Sequence, residues 1–357
     1  MKAAVWHGKN DLRIEEVPEP FPGTDEIKIA VESCGICGTD IGEYLYGPVL
    51  IKEGPVILGH EYAGTIVAMG EEVEGFSIGD RVTALNVRSC GKCLDDCKVK
   101  NSMGLGKKMA LCEHMELTGL TSPGAFAEYL CIPAYIAVRV GEGLSGEDGA
   151  MINPLSIGIH ASKRGKLALG ENVVVIGDGT IGQLTLQACL ATGVQTAFLI
   201  GAQPLRLRIA RECGATEAFD YRSEGIKDAI MEKLGGRLPE ITFDCVGTQT
   251  SLQSAIDLAA KGGRVMLVGI YDHPCQLDFK HVIVQEKNLM GVLAQDFEDY
   301  EIASALISQG KVKSEPLITA RIRLEDMVEK GIEELIHNRE NQLRILVRPQ
   351  GKRGGTG

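Results

Sequence analysis

Cysteine, histidine and carboxylate side chains gather in two short motifs, CGICGTD at residues 34–40 and GHEYAG at residues 59–64. These are the side-chain types that bind zinc, and a catalytic zinc needs only three protein ligands with one position left open. Taken singly, each motif is modest: a cysteine is often a small buried residue, and His60 could be an ordinary core histidine. Further along, VVVIGDGTIGQL sets Gly177, Gly179 and Gly182 as GxGxxG, directly after an apolar run and at the opening of a helix-like stretch. In that setting the glycines permit a tight turn and close backbone approach, and the helix N-terminus attracts a pyrophosphate. Four more cysteines, Cys90, Cys93, Cys97 and Cys112, crowd SCGKCLDDCKVKNSMGLGKKMALCE at residues 89–113. By type alone they could be disulfides, a redox centre, a metal clamp or unrelated thiols.

The elements that must carry these residues divide in two. The first 150 or so residues hold short alternating runs broken by glycine and proline, among them EIKIAVESC, AGTIVAMG, GDRVTAL and FAEYLCIPAY, which predict a β-rich domain. Beyond about residue 155, apolar runs of strand length (NVVVIG, TAFLIG, ITFDCVG, GRVMLVG) alternate with helix-like stretches such as TIGQLTLQACLATG and SLQSAIDLAAKGG. That rhythm predicts a parallel, doubly wound sheet. EDYEIASALISQGKV and LEDMVEKGIEELIHN read as amphipathic helices and LRILVRP as a strand, a tail that periodicity assigns to neither domain. The glycine-rich end, GKRGGTG, is expected to fray.

Bulk properties narrow the function. A chain of 357 residues is long enough for two domains. Its formal charge of −11 argues against nucleic acid, which calls for a basic face. No apolar run reaches the roughly 18 residues of a membrane span, and MKAAVWHGKN turns polar too soon for a secretory signal, so the expected location is the cytosol. In a reducing compartment, eleven cysteines read better as ligands, catalytic thiols or core residues than as disulfides.

The cofactor question turns on residue 201. Sites for NAD place an Asp or Glu about 20 residues past the glycines to hold the ribose hydroxyls. FLIGAQPLRLR has Gly201 there, with Arg206 and Arg208 close behind. Losing the carboxylate removes its repulsion of a 2′-phosphate, and either arginine could supply the countercharge, so NADP is expected over NAD. The alternative is that both arginines are solvated helix residues. Thr180 and Ile181 within the fingerprint, and Val246 and Val268 at the ends of ITFDCVG and GRVMLVG, complete the cofactor-binding candidates.

On CGICGTD, the GHE of GHEYAG, GDRV, the cysteine lobe, GAFAEY, PLSIGIHA, the GxGxxG unit and SEPLIT, the sequence resembles the zinc-dependent medium-chain alcohol and polyol dehydrogenases. The closest branch in pattern is that of the sorbitol, threonine and 2,3-butanediol dehydrogenases. The resemblance implies a GroES-like catalytic domain from residues 1–154 plus a return segment 293–357, and a Rossmann domain over 155–292. It implies a catalytic zinc on Cys37, His60 and Glu61, with Glu61 ligating directly or from just outside. Thr39 would then bond the substrate oxygen and pass on its proton, Asp40 would orient the histidine, and Cys34 would be a packed thiol. Zinc there would act as a Lewis acid on the oxygen of an alcohol or ketone while hydride passes to or from a nicotinamide. The substrate class is a secondary alcohol, polyol or vicinal diol, and the expected assembly a homodimer or homotetramer.

Two positions depart from that pattern. Asn153 stands where the polyol branch usually has Glu before PLSIGIHA, and an amide oxygen is a weaker zinc ligand than a carboxylate. It is expected to ligate, to bond the metal water or to line the site. Gly42 replaces a histidine that many relatives use to shuttle the proton, leaving Thr39, a ribose hydroxyl and water. These departures leave room for a diverged member that binds NADP or metal without simple alcohol oxidation. In the lobe, the resemblance implies a structural zinc on Cys90, Cys93, Cys97 and Cys112, with Cys97 one residue late and a lengthened span before Cys112. Tyr44 and Tyr46 line the substrate or merely pack, and GRVMLVGIYDHPCQLDF carries the subunit contact or is an internal strand.

Overall fold

The computed structural model describes residues 1–89, 109–112 and 114–350. The chain divides into two compact units. One takes Met1–Asn153, Gln295–Ser308 and Ile318–Gly357; the other takes Pro154–Ala294 and Gln309–Leu317.

The first unit is built on the run EIKIAVESC. Strand Glu26–Gly35 is almost wholly buried and pairs antiparallel with Glu61–Met69, Tyr129–Pro133 and Arg344–Arg348 in a seven-stranded sheet. Ile318–Arg323 lies parallel to Arg344–Arg348 at one edge. The tail that periodicity left unassigned thus completes this sheet, and its second helical stretch breaks into short 3₁₀, π and α segments over Leu324–His337. Lys2–Gly8, Asp11–Glu16 and Val56–Ile57 form a separate three-stranded sheet.

The register of the central strand fixes what meets at its end. Gly35 lies opposite Glu61 on one neighbour and Leu346 on the other. One residue further, Ile36 leads into Cys37 and helix Gly38–Tyr46. That helix is held where it is by Trp6 Nε1 donating to the Glu43 carbonyl at 3.1 Å, and by the Glu43 carboxylate accepting from the backbone of Val49 at 2.9 Å.

The second unit is the parallel sheet its apolar runs predict. Its six strands run in the order Glu217–Asp220, Thr196–Gly201, Asn172–Ile176, Ile241–Asp244, Arg264–Leu267 and Asn288–Gly291, every pairing parallel. This is the 3-2-1-4-5-6 order of the doubly wound dinucleotide fold. Helices Thr180–Thr192 and Gln249–Leu258 bury Leu186 and Cys189, and Leu252 and Ile256, against its core clusters. GRVMLVG proves to be an internal strand, and the edge falls to Asn288–Gly291. Among the described residues no helix is long and apolar enough to cross a membrane.

Candidate catalytic metal site and dinucleotide site

Two neighbouring strand ends of the first unit bring the zinc-type residues together. Cys37 follows the central strand, His60 and Glu61 open its neighbour, and the ligand atoms of all three lie within 4.8 Å of one another. His60 and Glu61 are buried. Gly59, with φ +98°, makes the turn into His60, and a Cβ on it would sit 2.9 Å from the Cys34 sulfur.

Asp40 is fully buried beneath this cluster. Its Oδ2 accepts from the Cys37 backbone at 2.8 Å, and its Oδ1 lies 3.7 Å from His60 Nδ1. Burial raises the Asp40 carboxyl to about 6, against the pull of His60 and the Cys37 N–H. Burial lowers His60, but Cys37, Asp40 and Glu61 together outweigh it and lift the imidazole to about 10. A cation entering the cluster takes over the role of that proton, so metal uptake here is coupled to proton release. His60 Nδ1 and Asp40 Oδ1 make no aligned hydrogen bond although both are buried. One thiol, one imidazole and one carboxylate, with a buried carboxylate behind the imidazole, form a donor set that suits zinc.

Sequence reasoning missed Arg344. It is 1% exposed, faces Glu61 Oε2 as a buried ion pair and donates from Nη1 to the Ile36 carbonyl at 3.0 Å. Gly35 is what admits it, since a Cβ there would lie 1.7 Å from Arg344 Nη2. The signal in the sequence was an arginine directly before the apolar run ILV of LRILVRP.

Thr39 Oγ1 lies 3.6 Å from the Cys37 sulfur. Asn153 is buried, and its Nδ2 donates to the Tyr300 hydroxyl, which also receives Gln295 Nε2 at 3.0 Å. Tyr300 and Gln295 were likewise not singled out from sequence. Cys34 is buried and its thiol is pushed well above its ordinary range by burial. Tyr44 is buried and donates to Glu333 Oε1 at 2.8 Å, whereas Tyr46 is exposed. Of the lobe cysteines, Cys112 is buried, while Cys90, Cys93 and Cys97 lie outside the described residues.

In the second unit the fingerprint turns from strand Asn172–Ile176 into helix Thr180–Thr192, with Gly179 as its N-cap. A Cβ on Gly182 would lie 1.9 Å from the Gly177 carbonyl, whereas above Gly179 there is open space. The first glycine-only contact lets helix and strand pack closely, and the open side is where a pyrophosphate could approach. Thr180 and Ile181 are half-buried at the helix start, and Val246, beyond the next strand, is 44% exposed. Gly201 ends strand Thr196–Gly201. Arg208 is exposed on the following helix, but Arg206 is engaged: its Nη1 lies 3.7 Å from Asp178 Oδ1. The countercharge expected of Arg206 is therefore already directed at a carboxylate.

Residues 23–142 match the family described as alcohol dehydrogenase GroES-like domain, and residues 180–309 match zinc-binding dehydrogenase. The chain is 30% identical to (R,R)-butanediol dehydrogenase of Bacillus subtilis, over 98% of this chain and 100% of that one. It belongs to the zinc-dependent medium-chain dehydrogenases. Sorbitol dehydrogenase of Bacillus subtilis is also 30% identical, over 98% of this chain and 97% of that one. Among solved structures, 2R,3R-butanediol dehydrogenase from Bacillus subtilis superposes with a TM-score of 0.89 at 29% identity, covering 98% of this chain and 99% of that chain. A zinc-binding dehydrogenase from Sinorhizobium meliloti 1021 bound to NADP follows at a TM-score of 0.87 and 27% identity, and an Escherichia coli CFT073 alcohol dehydrogenase complexed with NADH at 0.88 and 26%; each covers 98% of this chain and 99% of its own.

As a medium-chain dehydrogenase the protein is an oxidoreductase of the alcohol dehydrogenase type, and its family implies zinc and a nicotinamide cofactor. Asp40 gives a first test of the metal site. Asp40→Asn keeps the shape but removes the charge behind His60, and is expected to weaken zinc binding by about 10–100-fold. Competition against a chromophoric chelator measures it; unchanged affinity would remove Asp40 from the site.

Proposed function

We propose that this dehydrogenase oxidises a secondary alcohol, polyol or vicinal diol, or reduces the matching ketone, with a catalytic zinc held by Cys37, His60 and Glu61. The convergence of those three ligand atoms within 4.8 Å carries the reading. Bound there, zinc supplies Lewis-acid polarisation of the substrate oxygen. The Asp40 carboxylate lies behind the His60 ring, 3.7 Å from Nδ1. Thr39, 3.6 Å from the Cys37 sulfur, would bond the substrate oxygen and pass on its proton, and Gly42 offers no side chain to relay it further. Asn153, bonded to Tyr300, serves as a neutral wall of the site in place of a further carboxylate ligand. Names of relatives that act on butanediol and sorbitol support a diol or polyol as substrate.

The catalytic domain is read as residues 1–154 with the return segment 293–357, and the cofactor domain as 155–292. The lobe cysteines are read as a structural zinc site, and the assembly as a homodimer or homotetramer. For the cofactor, two observations pull in opposite directions. The absence of an acid at Gly201 favours NADP, whereas Asp178 beside it favours NAD. Of the two, Asp178 has the firmer geometry.

The test is metal analysis of the purified protein with a turnover screen over acyclic diols, polyols, sugars and amino alcohols. Zinc-dependent reduction of NAD or NADP by a diol or polyol is expected. Tight dinucleotide binding without zinc or turnover would instead mark a diverged binding protein.

A further inference from the structure

The anion-accepting groups at the start of helix Pro204–Glu212 are already engaged from within the second unit. Asp178, the first variable residue of GxGxxG, is 8% exposed. Its Oδ2 accepts from the backbone N–H of Ala202 at 2.7 Å and of Gln203 at 2.8 Å. Its Oδ1 lies 3.7 Å from Arg206 Nη1. Two backbone N–H groups and a guanidinium around one carboxylate are the donors a phosphate monoester would seek. They sit where strand Thr196–Gly201 ends, the place at which doubly wound sheets read the adenosine ribose.

The same aspartate accounts for the glycine at 201. A Cβ on Gly201 would lie 2.4 Å from Asp178 Cβ and 2.6 Å from Asp178 Oδ2. A side chain at 201 and the carboxylate of Asp178 therefore exclude one another. The negative charge is not missing from the ribose corner; it arrives from the loop before the helix.

We propose that Asp178 sets the cofactor specificity: its carboxylate fills the subsite that the 2′-phosphate of NADP would occupy, and so selects NAD. This rests on the reading of residues 177–182 as a dinucleotide site. A 2′-phosphate reaching Ala202, Gln203 and Arg206 must displace the buried carboxylate or lie against it, and like charges in such a site repel strongly. Arg206 is then the counter-ion of Asp178. Arg222, the other cation at this corner, is bonded to Asp220 at 2.6 Å and to the Ala202 carbonyl at 2.8 Å, and Arg208 is exposed.

The experiment is equilibrium binding of NAD, NADP and 2′,5′-ADP by calorimetry to the full-length wild type, Asp178→Ala, the near-isosteric Asp178→Asn, and Asp178→Ala with Arg206→Ala. Wild type is expected to bind NAD about tenfold or more tightly than NADP, and Asp178→Ala to gain about tenfold or more for NADP and 2′,5′-ADP. Asp178→Asn should shift the same way, and adding Arg206→Ala should remove the gain. A wild type that prefers NADP overturns the proposal, as does unchanged NADP affinity in both single variants with native circular dichroism. Failure of the wild type to bind either dinucleotide overturns the underlying reading of the site, an outcome distinct from binding both without discrimination.

Discussion

Replacing Arg344 by methionine is expected to destabilise the first unit by about 3–5 kcal/mol. The guanidinium is 1% exposed and its partner Glu61 is 2% exposed, so neither charge can turn to water when the other is lost. The pair itself contributes little net stability, because desolvating two charges offsets most of their attraction. Breaking it is what costs, since Glu61 stays buried without its cation and Ile36 loses the donor to its carbonyl. Denaturant unfolding checks the loss. Glu61→Gln combined with Arg344→Met should recover much of it, and the double-mutant cycle gives the coupling directly. If Arg344→Met costs less than about 1 kcal/mol, the pair is not the charge balance of the site.

His60→Ala should abolish turnover by a different route. Loss of the imidazole leaves one thiol and one carboxylate, too few ligands to fix a zinc with an open position. With several kcal/mol of transition-state stabilisation gone, kcat/KM is expected to fall by about 10³-fold or more. Zinc content should fall by one equivalent, while dinucleotide binding, which draws on the separate unit around Gly177–Gly182, should hold. Retention of both zinc and activity would place the chemistry elsewhere.

The contrast between these two residues also marks what a sequence can disclose. His60 is visible because it sits beside Glu61 in GHEYAG, and the local pattern names the chemistry. The parallel sheet was visible for a similar reason: NVVVIG and TAFLIG are buried on both faces, so they read as continuous apolar runs. Arg344 was not visible, because its meaning depends on strand Arg344–Arg348 pairing with Glu26–Gly35, a contact that no local periodicity encodes. Asp178 was hidden differently. It occupies a variable position of GxGxxG, and only the crossing of the loop over Gly201 shows that its carboxylate fills a strand-end position. Tyr300 lay unremarked in the helix-like stretch EDYEIASALISQGKV, and only its hydroxyl, accepting from Asn153 Nδ2, shows its part.

The long span between Ile36 and Arg344 has a consequence for how the protein matures. The contact between them joins residues 308 positions apart. At about 5–20 residues per second, the ribosome adds that stretch in roughly 15–60 s. For most of that interval Cys37, His60 and Glu61 have already been made, but the cation that faces Glu61 does not yet exist. The nascent chain thus carries the proposed metal ligands well before their charge balance, because the last strand among the described residues, Arg344–Arg348, is the one that brings the cation to Glu61.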